Sequence, residues 1–170
     1  MENKGLEWLQ KNFVGHNLKF SYEDKKGFII EGNCKLKNRD VTEIPYKIYK
    51  VIGDFDCGGL PNKPNYIKTL KNFPDIVNGN FYVSFNENLT SLEGGPCEVD
   101  GTYFCNNCKL YNLNGVASNI GRNLKAFSNP IYEVSALENV KVGGFVDLDF
   151  TPVYDNTPIK DRLIGNYTCK

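Results

Sequence analysis

Between Val99 and Cys105 apolar and polar positions alternate, with Val99, Gly101, Tyr103 and Cys105 on one side and Leu110 and Leu113 following three residues apart. The preceding copy of this frame reads Val77, Gly79, Phe81, Val83, then Leu89 and Leu92. Downstream it returns as Ile120, Arg122, Leu124, Ala126, then Ile131 and Val134, and as Val142, Gly144, Val146, Leu148, then Val153. Upstream it reads Val51, Gly53, Phe55, Cys57, and before that Ile30, Gly32, Cys34, Leu36, then Val41 and Ile44. A partial copy, Leu163, Gly165, Tyr167 and Cys169, ends the 170 residues. The copies start at 30, 51, 77, 99, 120, 142 and 163, so the period is 21 or 22 residues with one step of 26. That longer step holds "GGLPNKPNY", Gly58 to Tyr66, whose Pro61 and Pro64 suit a projecting loop. Ile67 and Leu70 then restore the frame.

A fixed period of this size marks a solenoid, in which each unit buries its apolar face only by stacking on its neighbours. Alternation over seven positions has the period of a strand with one buried face, so positions one, three, five and seven are expected to point inward. The rest of each unit, interrupted by residues such as Gly94, Gly95, Pro96 and Gly115, is too broken for a long helix. It predicts a turn and an irregular or 3₁₀ arc. The expected fold is a mainly β repeat solenoid over 30–170, a parallel sheet of about seven short strands in a single domain. Residues 1–29 read as its N-terminal cap: a short helix with Leu6, Leu9 and Phe13 on one face and Trp8 near its edge, then a hairpin from "LKFSY" to "FII".

The segments "YFCNNCKLYNL" (Tyr103 to Leu113) and "FYVSFNENLTSL" (Phe81 to Leu92) resemble the leucine-rich repeat family. Aromatics, Val and Cys replace many of the leucines, and the asparagine ladder is partial (Asn38, Asn86, Asn107, Asn129), so a parallel β-helix is the alternative architecture. The wording "LTSLEGGPCEVDGTYFC" is similar in style to divergent leucine-rich-like proteins encoded by tailed bacteriophages. That resemblance implies a protein-binding module, with a host protein as partner and inhibition of a host defence or metabolic protein as the role.

Twenty basic and twenty acidic residues cancel, so net charge favours neither nucleic acid nor an anionic membrane as partner. No apolar run has membrane-spanning length and the N-terminus lacks a signal-peptide pattern, which predicts a cytoplasmic protein. Of six cysteines, Cys34, Cys57, Cys105 and Cys169 fall on inward positions and read as small buried apolar residues. Cys105 and Cys108 have zinc-like spacing, but Cys97 is the only thiol near them in sequence and the lone histidine is His16, so no metal or cofactor is expected. Cys108 reads as a turn residue where that family usually has Asn. The pairs Asp54/Asp56 and Asp147/Asp149 each share a strand face but lie four strands apart, about 19 Å, too far to form one site.

The outward positions carry the functional expectation. Positions four, six and eight place Tyr82, Phe104, Phe127 and Phe145 on adjoining strands, among Asn106, Lys125, Asp147 and Asp149. Exposed aromatics with a polar rim are the composition of an interaction surface. The expected activity is non-catalytic binding of a protein partner through this face. Two alternatives remain: a small-ligand or nucleotide-binding protein using the rings with Lys35, Lys37 or Lys125, and a β-helical carbohydrate-active enzyme using the aspartates.

Overall fold

The computed structural model describes residues 2–153, so the copy starting at Leu163 lies outside the described residues. The chain winds as a mainly β solenoid of parallel sheets with one N-terminal helix. The repeat register is the one the apolar pattern predicts. Ile30, Val51, Val77, Val99, Ile120 and Val142 pair in succession across one sheet. Cys34, Phe55, Phe81, Tyr103, Leu124 and Val146 pair in succession across another.

These two rows belong to different sheets, where the sequence predicts one continuous strand per unit. Each turn gives a two-to-five-residue strand to a back sheet (for example Ile76–Val77, Glu98–Val99, Asn119–Ile120) and a two- or three-residue strand to a front sheet (Phe81–Tyr82, Tyr103–Phe104, Leu124–Lys125). Position three makes the corner between them. A Cβ built on Gly101 would lie 2.5 Å from Asn80 Oδ1 and 2.7 Å from the Gly79 carbonyl oxygen, so this corner nests on the preceding one without room for a side chain, whereas the next corner is made by Arg122. The alternation is thus shared by two sheet faces meeting at an angle, and both bury their odd positions.

Position four corrects a second expectation. Where it is Asn or Asp among the described residues, its side-chain oxygen turns along the stack to the next unit: Asn33 Oδ1 accepts from the Asp54 N–H at 2.8 Å, Asp54 Oδ1 from the Asn80 N–H at 2.6 Å, Asn80 Oδ1 from the Thr102 N–H at 2.9 Å, and Asn123 Oδ1 from the Phe145 N–H at 3.0 Å. These bonds satisfy backbone donors that the broken strand leaves unpaired. At the far end of the front strand, position nine adopts left-handed backbone in Phe85, Asn107, Ser128 and Phe150 (φ 55°, 54°, 53° and 56°). That second corner sends the chain along the irregular third side, where Leu89, Leu92, Leu110, Leu113 and Ile131 are buried.

A polar ladder at position ten runs inside this corner. Asn86 Nδ2 donates to the carbonyls of Val83 and Cys57, and Asn129 Nδ2 to those of Ala126 and Cys105. Cys108 occupies the equivalent place one turn after Asn86, its Sγ 3.2 Å from the Val83 carbonyl and its N–H bonded to Asn129 Oδ1. The left-handed turn residue is Asn107, so Cys108 is a buried rung of the ladder and not the turn itself.

Aromatic rings line the front-sheet side of the core: Phe13 lies 5.4 Å from Phe55, Phe55 stacks on Phe81 at 6.0 Å, and Phe81 meets Tyr103 at 4.7 Å. The back-sheet side is aliphatic, with Val51, Val77, Val99 and Ile120 buried. At the N-terminal end the helix Glu2–Asn12 buries Leu9, with Leu6 and Trp8 packed against the core. Phe13–Val14 then pairs antiparallel with Cys34–Leu36 and covers that edge of the front sheet. Phe13 is therefore a strand residue, although its ring joins the core as expected. The hairpin Lys19–Glu23/Gly27–Glu31 covers the corresponding edge of the back sheet.

Candidate functional site

The outer surface of the front sheet is built by position six, the single outward residue of each short strand. From the N-terminal end it reads Lys35, Asp56, Tyr82, Phe104, Lys125, Asp147. Parallel in-register pairing sets each side chain directly beside the next, so adjacent residues interact in pairs. Lys35 Nζ lies 2.6 Å from Asp56 Oδ2, and Lys125 Nζ lies 3.8 Å from Asp147 Oδ2. Between these ion pairs the Tyr82 and Phe104 rings stack with centroids 4.5 Å apart and planes 9° from parallel. Partial burial, followed by the nearby carboxylates of Asp54 and Asp56, raises the Tyr82 phenol above its usual pKa.

The rings floor a groove of about 440 Å³, whose lining also includes Gly58, Gly59, Leu60, Asn106 and Phe127. Its wall on one side is the 26-residue unit's extra segment, where Leu60 and Lys63 exchange backbone bonds of 2.9 Å and Leu60 remains 53% exposed. Asn65 returns the chain to the frame, its buried amide donating to the carbonyls of Cys57 and Gly58 at 3.0 Å each. The two prolines mark this loop in the sequence. Its position beside the rings depends on where the second corner aims it.

Of the residues singled out from sequence, Tyr82, Phe104, Phe127, Lys125 and Asn106 line this groove. Asn106 is only 6% exposed and accepts a bond from Ser84 Oγ at 2.7 Å, so it shapes the floor and offers little free surface. Phe145 sits at the position-four corner with the Lys125 ammonium 5.1 Å above its ring. Asp147 accepts the Asp149 N–H at 3.3 Å while paired with Lys125. Lys35, Asp56 and Leu60 belong to the same face and complete it. The signal for the first two is the charge alternation down the position-six column.

The four buried cysteines among the described residues, Cys34, Cys57, Cys105 and Cys108, fit packing better than chemistry. Cys105 is fully buried and burial pushes its thiol well above the usual range, while burial pushes Cys108 up to about 12. Thiols held protonated in this way are poor nucleophiles and poor metal ligands at neutral pH. Among the described residues, no group of three or more His, Cys, Asp or Glu is arranged to hold a metal ion, and no helix is long and apolar enough to cross a membrane. Asp54 is engaged by the Asn80 N–H and Asp56 by Lys35, which ties both carboxylates into the scaffold.

Compared with protein-family models, curated proteins and solved structures, the chain matches none.

Proposed function

We propose that the chain is a protein-binding module that docks a protein on the outer face of its front sheet, with no catalytic step of its own. The observation carrying this reading is the stacked Tyr82–Phe104 pair on a regular sheet, flanked on both sides by ion pairs and bordered by the exposed Leu60. Aromatic anchors inside a charged rim are the usual distribution of energy in a protein interface. The style of its repeats, similar to bacteriophage-encoded leucine-rich-like proteins, makes a host protein held in an inhibitory complex the client this reading names.

The small-ligand alternative draws on the same groove, which has the volume of a ligand site. Both lysines at its ends already face carboxylates, which weakens their use as phosphate ligands. Affinity capture from bacterial host lysate, with wild type and Tyr82→Ala/Phe104→Ala/Phe127→Ala compared side by side, tests the docking face. A protein retained by wild type and lost from the triple variant is the expected result. Equal recovery from both removes this face from the interaction, and a small molecule found by native mass spectrometry on wild type alone would favour the ligand reading.

A further inference from the structure

The position-six column has an order that pairs with itself when reversed. Read from either end it runs ion pair, aromatic pair, ion pair, but with the signs exchanged: Lys35, Asp56, Tyr82, Phe104, Lys125, Asp147 in one direction and Asp147, Lys125, Phe104, Tyr82, Asp56, Lys35 in the other. Set against its own reverse, Lys35 meets Asp147, Asp56 meets Lys125, and Tyr82 meets Phe104. Every opposed couple is complementary.

A twofold axis lying in the interface, parallel to the strands and midway between the Tyr82 and Phe104 rungs, performs this reversal. It inverts the stack while keeping strand direction, so each column faces the same column of the second copy. At position eight Lys37 falls opposite Asp149, while Ser84 and Asn106, buried and bonded to each other within one chain, lie beneath the contact. Gly58, which has no side chain, falls opposite Phe127, with the exposed Leu60 beside it to cover the incoming ring.

We infer that the front face binds a second copy of this chain, as an isologous, antiparallel dimer centred on Tyr82 and Phe104. The inference rests on the docking reading above and names its partner. In the dimer, the Lys35–Asp56 pair of one copy meets the Asp147–Lys125 pair of the other, giving at each end four charges of alternating sign. The two stacked ring pairs cover each other at the centre, where the half-buried rings otherwise leave part of their surface to water. Six rungs of about 4.8 Å spacing and a five-residue width give a footprint of roughly 400 Å² before side-chain relief is counted. Counted over both copies that is about 800 Å², below the roughly 1,200 Å² of stable interfaces, so the dimer is a weak, transient one whose dissociation constant is sought from about the micromolar to the millimolar range.

Sedimentation velocity of the full chain across that concentration range is expected to show a monomer–dimer equilibrium. Phe104→Ala acts twice in a twofold interface, so about tenfold per copy becomes about a hundredfold weaker dimerisation, with far-UV circular dichroism confirming an unchanged fold. Register is read separately by thiol trapping in a Cys97→Ser/Cys169→Ser background. A mixture of Lys35→Cys and Asp147→Cys chains is expected to crosslink, and Lys35→Cys alone is not. A wild-type monomer throughout, a dimer indifferent to Phe104→Ala, or self-crosslinking by Lys35→Cys each overturns the inference. A monomer that still captures another protein through Tyr82 and Phe104 overturns the second copy while leaving the docking reading intact; a face that does neither overturns both.

Discussion

The two sheets are made by the same turns in the same register, yet their faces differ on both sides. Inward, the front sheet stacks rings from Phe55 through Phe81 to Tyr103, while the back sheet stacks Val51, Val77, Val99 and Ile120. Outward, the front sheet displays the ion pairs and the Tyr82–Phe104 stack, whereas the back sheet carries Ile76, Glu98, Asn119 and Lys141 in line, with neighbouring side chains of unrelated chemistry. Backbone geometry alone therefore does not make a binding surface. What distinguishes the front sheet is that matching residues, opposite charges or two rings, fall on adjacent rungs, where parallel pairing brings their side chains into contact.

The sharpest test of this contrast lies in the core. Phe81→Ala removes the middle ring of the front stack and is expected to cost about 4 kcal/mol in chemical denaturation, against about 2 kcal/mol for Val77→Ala on the back sheet of the same turn. Equal losses would erase the difference between the two inner faces. Next, Asn129→Ala leaves the Cys105 and Ala126 carbonyls and the Cys108 and Leu110 N–H groups without their amide partner. Several buried groups are orphaned at once, so a loss of about 3 kcal/mol is expected from the same measurement.

Alkaline pH should act through the front sheet as well, because Cys34, Cys57 and Cys105 sit on its inner rows and Cys108 at its corner. Burial raises all four thiols. The unfolded chain then releases protons that the folded one keeps, so stability is full below the ordinary thiol pKa and falls as pH rises above it. For Cys108 that window runs from 9.0 to about 12, at about 1.4 kcal/mol per pH unit. Denaturation midpoints measured from pH 7 upward check the sign, and a midpoint rising with pH would contradict it. Tyr103→Phe is expected to stabilise by about 1 kcal/mol, since its buried hydroxyl has no hydrogen-bond partner. Smallest of all, Glu98→Ala on the outer back sheet should shift stability by less than about 0.5 kcal/mol and leave self-association unchanged.

Much of this architecture is legible in the chain. The rows Val51–Val77–Val99–Ile120 and Phe55–Phe81–Tyr103–Leu124 follow from the period, because apolar residues that recur every turn must stack to leave water. The aromatics of the candidate face are legible too, since inward positions fix which residues point out. The division into two sheets is not, because a glycine in an alternating run is compatible with a straight strand, and only the approach of Gly101 to the preceding corner shows that it bends. For the same reason Asn80 reads as a displayed residue until its Oδ1 is seen to bond the Thr102 N–H of the next turn.

The sequence by itself determined the repeat, its register, the long unit's insertion and the identity of the buried rows, because these depend on the spacing of apolar residues along one chain. Tertiary structure decided the rest: where each turn bends, that Cys108 replaces an asparagine inside a hydrogen-bond ladder, and that Lys35, Asp56, Tyr82, Phe104, Lys125 and Asp147 form one column. Those facts depend on which turn lies above which and how far a backbone can approach its neighbour, and a linear pattern does not contain either distance.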